Sequence, residues 1–113
     1  MSEMKLQISV IKYLKLKFPK VRYCASLGGI HTSPTQARKA KLTGYVRGFP
    51  DLQITEARKG FHGMFIELKT NKGRATKVQK ECIKDLNDRG YKATICKGID
   101  EAMETINEYL CEK

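Results

Sequence analysis

The spacing of apolar residues predicts an amphipathic helix near the start of the chain. Apolar side chains recur there at helical intervals, with Ser2 in position to cap the helix and Pro19 to end it. The helix would run from Glu3 to Phe18, burying one stripe of its surface and exposing lysines on the opposite side. That stripe consists of Leu6, Val10, Leu14 and Phe18.

Three later segments carry helix start signals. Ser33-Pro34-Thr35-Gln36 has the form of a capping box with proline at the first helical position, and it predicts a short basic helix that ends near Gly44. Thr76-Lys77-Val78-Gln79 can cap a helix that Gly90 would terminate. Asp100 is in position to cap the last helix. The inward residues of these last two helices would be Val78, Cys82, Ile83 and Leu86, and then Met103, Ile106 and Leu110.

Short stretches in which apolar and polar residues alternate predict the strands. They are Val21 to Ser26, a strand around Leu52 and Ile54, Met64 to Lys69, and Tyr91 to Cys96. A Gly28-Gly29 loop would follow the first strand, and the second and third strands would form a hairpin. The order α, β, α, β, β, α, β, α predicts an α/β fold with helices flanking a mixed sheet, in one domain spanning 1–113.

The charge balance favours a polyanionic partner. Lysine and arginine total 22 against 12 aspartates and glutamates, which gives a formal charge of +10. Nucleic acid is the first candidate, and an anionic membrane surface is the second. The membrane is disfavoured, because no apolar run approaches the roughly 18 residues needed to span it, and no leader pattern opens the chain. We therefore expect a soluble, cytoplasmic protein.

The four cysteines change this interpretation little. Cys24, Cys82, Cys96 and Cys111 include no C-x-x-C pair, and the chain has only two histidines, so zinc binding is not expected. Disulfides are not expected either, and the thiols should be reduced and mostly buried.

A charged pair interrupts the apolar strand from Met64 to Lys69. The alternation of a strand places Glu67 and Lys69 on one face, with Met64, Ile66 and Leu68 on the other. Buried charges are costly unless they pair with each other, a metal ion or a substrate. Pro50 can begin the neighbouring strand, and the hairpin would then place Asp51 beside Glu67.

Two adjacent carboxylates repel each other but form a good oxygen site for a hard divalent cation. Mg²⁺ is the expected ion, with Mn²⁺ as a substitute. Such an ion would polarise a phosphate and lower the pKa of a bound water, while Lys69 held that water or neutralised developing charge. The pattern therefore predicts phosphodiester hydrolysis at Asp51, Glu67 and Lys69.

Gly48-Phe49-Pro50-Asp51, Glu67-Leu68-Lys69 and Gln79 together resemble the PD-(D/E)XK nuclease superfamily, and more narrowly its stand-alone VRR-NUC (virus-type replication-repair nuclease) domain. The resemblance runs across nearly the whole chain and implies a restriction-endonuclease-like fold. It implies that Asp51, Glu67 and the Leu68 carbonyl bind the metal and that Lys69 is the catalytic lysine. Leu27, before Gly28-Gly29, departs from the polar residue expected there, which affects substrate contacts in that loop.

The same resemblance assigns roles to two further residues, each with an alternative. Gln79 would support the catalytic centre, although a glutamine three residues after Thr76 also suits a capping box. Glu3 would complete the metal site, although it could instead complement the positive end of the first helix.

Basic residues surround the predicted centre in sequence. They are Arg38, Lys39, Lys41 and Arg47 before it, and Lys72, Arg74 and Lys77 after it. We expect them to position phosphates, the alternative being a merely solvated surface. His31 in a loop and His62 in the hairpin turn lack partners and are not expected to bind metal.

The leading hypothesis is a metal-dependent DNA endonuclease. By resemblance alone, its substrate would be branched DNA such as a four-way (Holliday) junction, its assembly a homodimer, and its setting phage replication, recombination or repair. A flap or restriction-type nuclease on the same fold is one alternative. The other is a non-catalytic nucleic-acid binder, which would show salt-sensitive binding without cleavage.

Overall fold

The computed structural model describes residues 1–26 and 33–111. Leu27, the predicted Gly28-Gly29 loop and His31 lie outside the described residues. Within those ranges the order of elements agrees with the sequence prediction. The elements are α1 (Glu3–Lys17), β1 (Tyr23–Ala25), α2 (Pro34–Leu42), β2 (Leu52–Ile54), β3 (Met64–Lys69), α3 (Lys77–Asp88), β4 (Lys92–Lys97) and α4 (Gly98–Leu110).

The strands of the described ranges form one mixed sheet in the order β1-β2-β3-β4. β1 pairs with β2 and β2 with β3 in antiparallel fashion, whereas β4 runs parallel to β3. The predicted hairpin is confirmed, with Leu52 opposite Ile66. β1 is shorter than predicted, because its pairing with β2 is confined to Tyr23–Ala25.

The main core lies on one face of the sheet, beneath α1 and α4. The predicted stripe of α1 is buried there, and Phe18 packs at its edge as the C-cap residue of that helix. Burying this apolar surface contributes most of the stability of such a layer. The fully enclosed members are Leu6, Val10, Leu14, Leu52, Ile54, Met64, Ile66, Leu68, Cys96, Ala102, Ile106, Tyr109 and Leu110.

A smaller apolar cluster lies on the opposite face, beneath α3. Phe65, Leu86 and Ala93 are buried in it, and Cys82 and Ile83 pack against it. β3 is consequently buried along its whole length. Any charged side chain on this strand is therefore largely withdrawn from water.

The structure corrects the predicted inward face of α3 at one position. Val78 is 49% exposed and does not join either core cluster. It lies against the backbone of Gly48, where an added Cβ would stand 2.4 Å from the Val78 Cγ1 atom. The predicted terminator is confirmed, since α3 ends at Asp88 and Gly90 has a positive φ of 96°.

The predicted start of α4 is wrong. The N-cap residue is Lys97, which makes no side-chain cap, and Asp100 lies in the first turn. The helix begins earlier because Gly98, with a φ of 81°, turns the chain directly out of β4. The Glu101 carboxylate accepts a hydrogen bond from the Lys97 N–H at 2.5 Å. Met103 is only half-buried, so it does not share the enclosed positions of Ile106 and Leu110.

The four cysteines form no disulfide with one another, and the prediction that they are mostly buried is wrong. Cys96 is enclosed in the main core, Cys24 is exposed, and Cys82 and Cys111 are intermediate. Cys24 is exposed because it lies on β1, at the edge of the sheet. Within the described ranges, no helix has the length and apolar character needed to cross a membrane.

Gly48 offers a test of the loop that leads to Asp51. Gly48→Ala should lower the free energy of unfolding by about 2–4 kcal/mol, because it combines a positive φ of 89° with a clash against Val78. Gly44→Ala is the control, since its φ is 114° but an added Cβ meets nothing within 4 Å. Urea unfolding measures both. Equal losses for the two variants would contradict the close packing at Gly48.

Candidate active site

Asp51 is held at the start of the hairpin by its surroundings on both sides. Pro50 before it is fully buried, and Phe49 packs edge-on against Phe65 with ring centroids 5.3 Å apart. The Asp51 Oδ2 atom accepts a hydrogen bond from the Leu68 backbone N–H at 2.8 Å. This bond fixes the carboxylate against β3, just beyond the Leu52–Ile66 pair at which β2 begins.

Glu67 lies next to Asp51 across the hairpin, as the register beyond Leu52 and Ile66 requires. It is 2% exposed. Its Oε2 atom accepts a hydrogen bond from Gln79 Nε2 at 3.1 Å and lies 3.4 Å from Lys69 Nζ. Its Oε1 atom is buried without a hydrogen-bond partner among the described residues. An unsatisfied buried acceptor is costly, so this oxygen calls for a proton or a cation.

Lys69 is the central positive charge of the cluster. It is 7% exposed, and its Nζ atom lies 3.4 Å from Glu67 and 3.8 Å from Glu3. One ammonium group therefore contacts the carboxylates of Glu3 and Glu67, and it also interacts electrostatically with Asp51. The local excess of negative charge favours an additional cation.

The two inner carboxyls resist ionisation. Burial, assisted by the neighbouring charge of Asp51, raises the pKa of Glu67 from 4.5 to about 7, although Lys69 opposes the shift. Burial likewise raises the pKa of Asp51 above its ordinary value, against the lowering effect of the Leu68 N–H bond. Either a shared proton or a bound cation would reduce the electrostatic cost of these two buried carboxylates.

The residues present fit a divalent cation. Asp51 and the unpaired Glu67 Oε1 supply hard oxygen donors, and Mg²⁺ commonly binds through one or two carboxylates together with water and phosphate oxygens. Glu3 stands farther out, with a half-exposed side chain that contacts Lys69. Among the described residues, no three histidine, cysteine, aspartate or glutamate side chains converge closely enough to hold a metal ion. The predicted roles of Glu3 and of the Leu68 carbonyl thus remain predictions.

Gln79 both completes the capping box of α3 and contacts Glu67. Its Oε1 atom accepts the Thr76 N–H at 2.9 Å, and its own N–H donates to the Thr76 Oγ1 atom, which completes the capping box of α3. Its Nε2 atom, which is not needed for the cap, donates to Glu67. The cap therefore fixes the side chain that orients the carboxylate.

The predicted basic residues are all exposed. α2 has no buried residue, so its basic side chains are presented to solvent on a helix that its own capping box begins. No ion pair within the described ranges involves any of these residues. They are Arg38, Lys39, Lys41, Arg47, Lys72, Arg74 and Lys77. Charge that is not neutralised internally stays available to a polyanion.

Two observations concern residues whose roles the sequence did not specify. The Leu68 N–H, which holds Asp51, had no sequence signal other than the predicted hairpin register. The ring of His62 packs edge-on against that of Tyr91, with centroids 5.5 Å apart, and lies close to Gly90.

Comparison with known proteins identifies the family of the chain that carries this cluster of carboxylates and lysine. A family profile described as the VRR-NUC domain matches residues 7–100. A solved structure described as a VRR_NUC domain protein is 35% identical, with a TM-score of 0.79, and the match covers 97% of this chain and 88% of that one. No curated protein matches the chain significantly. The chain therefore belongs to the VRR-NUC family and is a nuclease domain.

Proposed function

We propose that this nuclease domain is a metal-dependent DNA endonuclease that hydrolyses phosphodiester bonds in branched or otherwise structured DNA. The observation that supports it best is the pairing of Asp51 with Glu67, whose buried Oε1 atom has no partner among the described residues. The ion pair with Lys69 is made through Oε2 and does not satisfy this acceptor. A divalent cation would satisfy it.

Asp51 and Glu67 would hold Mg²⁺ or Mn²⁺, with the Leu68 carbonyl and Glu3 completing the site. Such an ion, when bound, supplies positive charge to the scissile phosphate and lowers the pKa of a coordinated water. Lys69 donates hydrogen bonds from its ammonium group to the attacking water or to a phosphate oxygen, and it neutralises charge in the transition state. Gln79 keeps the Glu67 carboxylate in orientation.

The exposed basic residues of α2 and of the segment after β3 would bind the sugar-phosphate backbone on the two sides of this centre. Their role is positioning, since phosphate contacts carry no sequence information. We also propose a homodimer, because two equivalent centres related by a twofold axis suit paired cuts in a symmetrical junction.

The test is cleavage of a labelled panel comprising linear duplex, single strand, 5′ flap and four-way junction. We expect wild type to cut with Mg²⁺ or Mn²⁺, to prefer a branched substrate, and to lose cleavage in EDTA. Lys69→Met should reduce the rate on the order of 10²–10³-fold while DNA binding is retained, because the charge it removes acts on the transition state.

Lys84→Met is the matched control for Lys69→Met. Lys84 is an exposed lysine on α3 whose only described ion pair is with Asp88, and its replacement should leave the rate unchanged. Salt-sensitive binding by wild type, without cleavage of any panel member in either metal, would favour a non-catalytic nucleic-acid binder. Preferential cleavage of the 5′ flap would identify a flap nuclease instead of a junction resolvase.

A further inference from the structure

α1 carries apolar side chains on two different faces. One face is the stripe buried in the main core, and the other is turned away from the core. On the second face Met4 is 67% exposed and Ile8 is 48% exposed. Their spacing of four residues places them side by side on the helix surface, and Ile11 continues the same stripe. This second stripe consists of Met4, Ile8 and Ile11. Ile11 also packs against the main core, whereas Met4 and Ile8 remain exposed.

The second stripe lines a groove of about 370 Å³ that it shares with the candidate active site. Glu3 and Asp51 also line the groove, and so do Lys12 and Lys15 farther along α1. From Glu3 to Lys15 the helix rises roughly 18 Å. The groove therefore leads from the catalytic carboxylates along an apolar surface towards two lysines.

We propose that this groove binds an unpaired nucleotide next to the scissile phosphate, with its base against Met4 and Ile8. The proposal rests on the proposed function, because Asp51 belongs to both sites. Methionine and isoleucine are among the apolar side chains that proteins place against unstacked bases. Lys12 and Lys15 complement the phosphates of the same strand.

Charge complementarity favours a nucleic-acid strand over a second copy of this chain. Lys12 and Lys15 are exposed, and no ion pair among the described residues neutralises them. A second copy seated in the groove would also cover Asp51 and Glu3. A DNA strand instead brings negative charge to the lysines and delivers its phosphate to the carboxylates.

A paired base cannot reach this surface without leaving its stack. The groove thus selects substrates in which a nucleotide beside the cut is already unpaired, because the energy of unstacking is lowest there. Branch points, flaps and mismatches share this property. Contact between an unpaired base and the second stripe would thus give a chemical basis for a preference for structured DNA.

The test measures DNA binding in the Glu67→Gln background, so that it does not depend on cleavage. The probes are a fluorescein-labelled duplex and the same duplex with one unpaired 2-aminopurine nucleotide. The Met4→Ser, Ile8→Ser double substitution should weaken binding of the unpaired probe about tenfold, on the order of one lost base contact. It should leave the fully paired duplex bound as before and should abolish the change in 2-aminopurine fluorescence.

Leu16→Ser is the matched control, because Leu16 is an apolar residue on the same helix that is 86% exposed and does not line the groove. It should alter neither probe. Equal weakening of both probes, or no weakening, would overturn the proposal. A loss of dimer mass in sedimentation, caused by the double substitution alone, would assign the groove to a second copy and overturn it too. If wild type never cleaves but the selective loss is seen, the base contact stands and the nuclease function fails.

Discussion

Glu67→Gln should abolish cleavage and at the same time stabilise the metal-free protein. Gln is nearly isosteric with Glu, so it keeps the packing of β3 while removing the charge that a cation requires. Cleavage of the preferred DNA should fall by on the order of 10³-fold or more, which corresponds to about 4 kcal/mol of transition-state stabilisation. Initial rates with Mg²⁺ measure this loss.

The gain in stability has a separate cause. At pH 8 without metal, Glu67 ionises in a buried position beside Asp51, and the substitution removes that unfavourable charge. The free energy of unfolding in EDTA should rise by about 1–3 kcal/mol. This net gain is reduced by the loss of the ion pair between Lys69 and Glu67. Glu104→Gln, an exposed acid on α4, should change neither cleavage nor stability by much. Cleavage near the wild-type rate would remove Glu67 from the active centre.

The metal-free protein should be less stable at pH 8 than at pH 5. The folded-state pKa of Glu67 is about 7 against an ordinary 4.5, so the folded chain holds a proton that the unfolded chain has already released. Stability contributed by this proton is complete below pH 4.5, declines as the pH rises through 7, and is absent above it. A shift of this size corresponds to roughly 3 kcal/mol at most. Asp51 acts in the same direction.

Urea unfolding in EDTA between pH 5 and 8 measures this decline. The comparison is with Glu67→Gln, because the difference between the two proteins cancels the titration of histidines and of other carboxylates. Saturating Mg²⁺ should remove most of the decline, since an ion that binds only the folded state stabilises it by mass action. Parallel pH profiles for wild type and Glu67→Gln would show that Glu67 titrates normally.

The fold and the central residues could be predicted because they follow from local periodicity. Glu67 and Lys69 share a face of a six-residue strand, and the hairpin then determines that Asp51 is their neighbour. No tertiary information was required for that step. The α/β architecture similarly follows from helix and strand patterns that agree along the chain.

The predictions that failed depend on tertiary packing or on a local turn that hydrophobic periodicity does not reveal. Val78 has the spacing of a core residue, but its side chain packs against Gly48 outside the core. Asp100 has the chemistry of a cap, but the turn at Gly98 starts α4 before it. The second apolar stripe of α1 was not predicted as a separate surface, because periodicity alone does not tell which apolar face a fold will cover.

Gln79 links the start of α3 to the chemistry of the strand beside it, which restricts how this position can diverge. A capping box accepts glutamate as readily as glutamine. Glutamate, however, would turn an acceptor towards Glu67 where Nε2 now donates. A change from glutamine to glutamate would therefore be neutral for the helix but would remove a hydrogen bond from the active centre. Of these two residues, only glutamine both completes the cap of α3 and donates a hydrogen bond to Glu67.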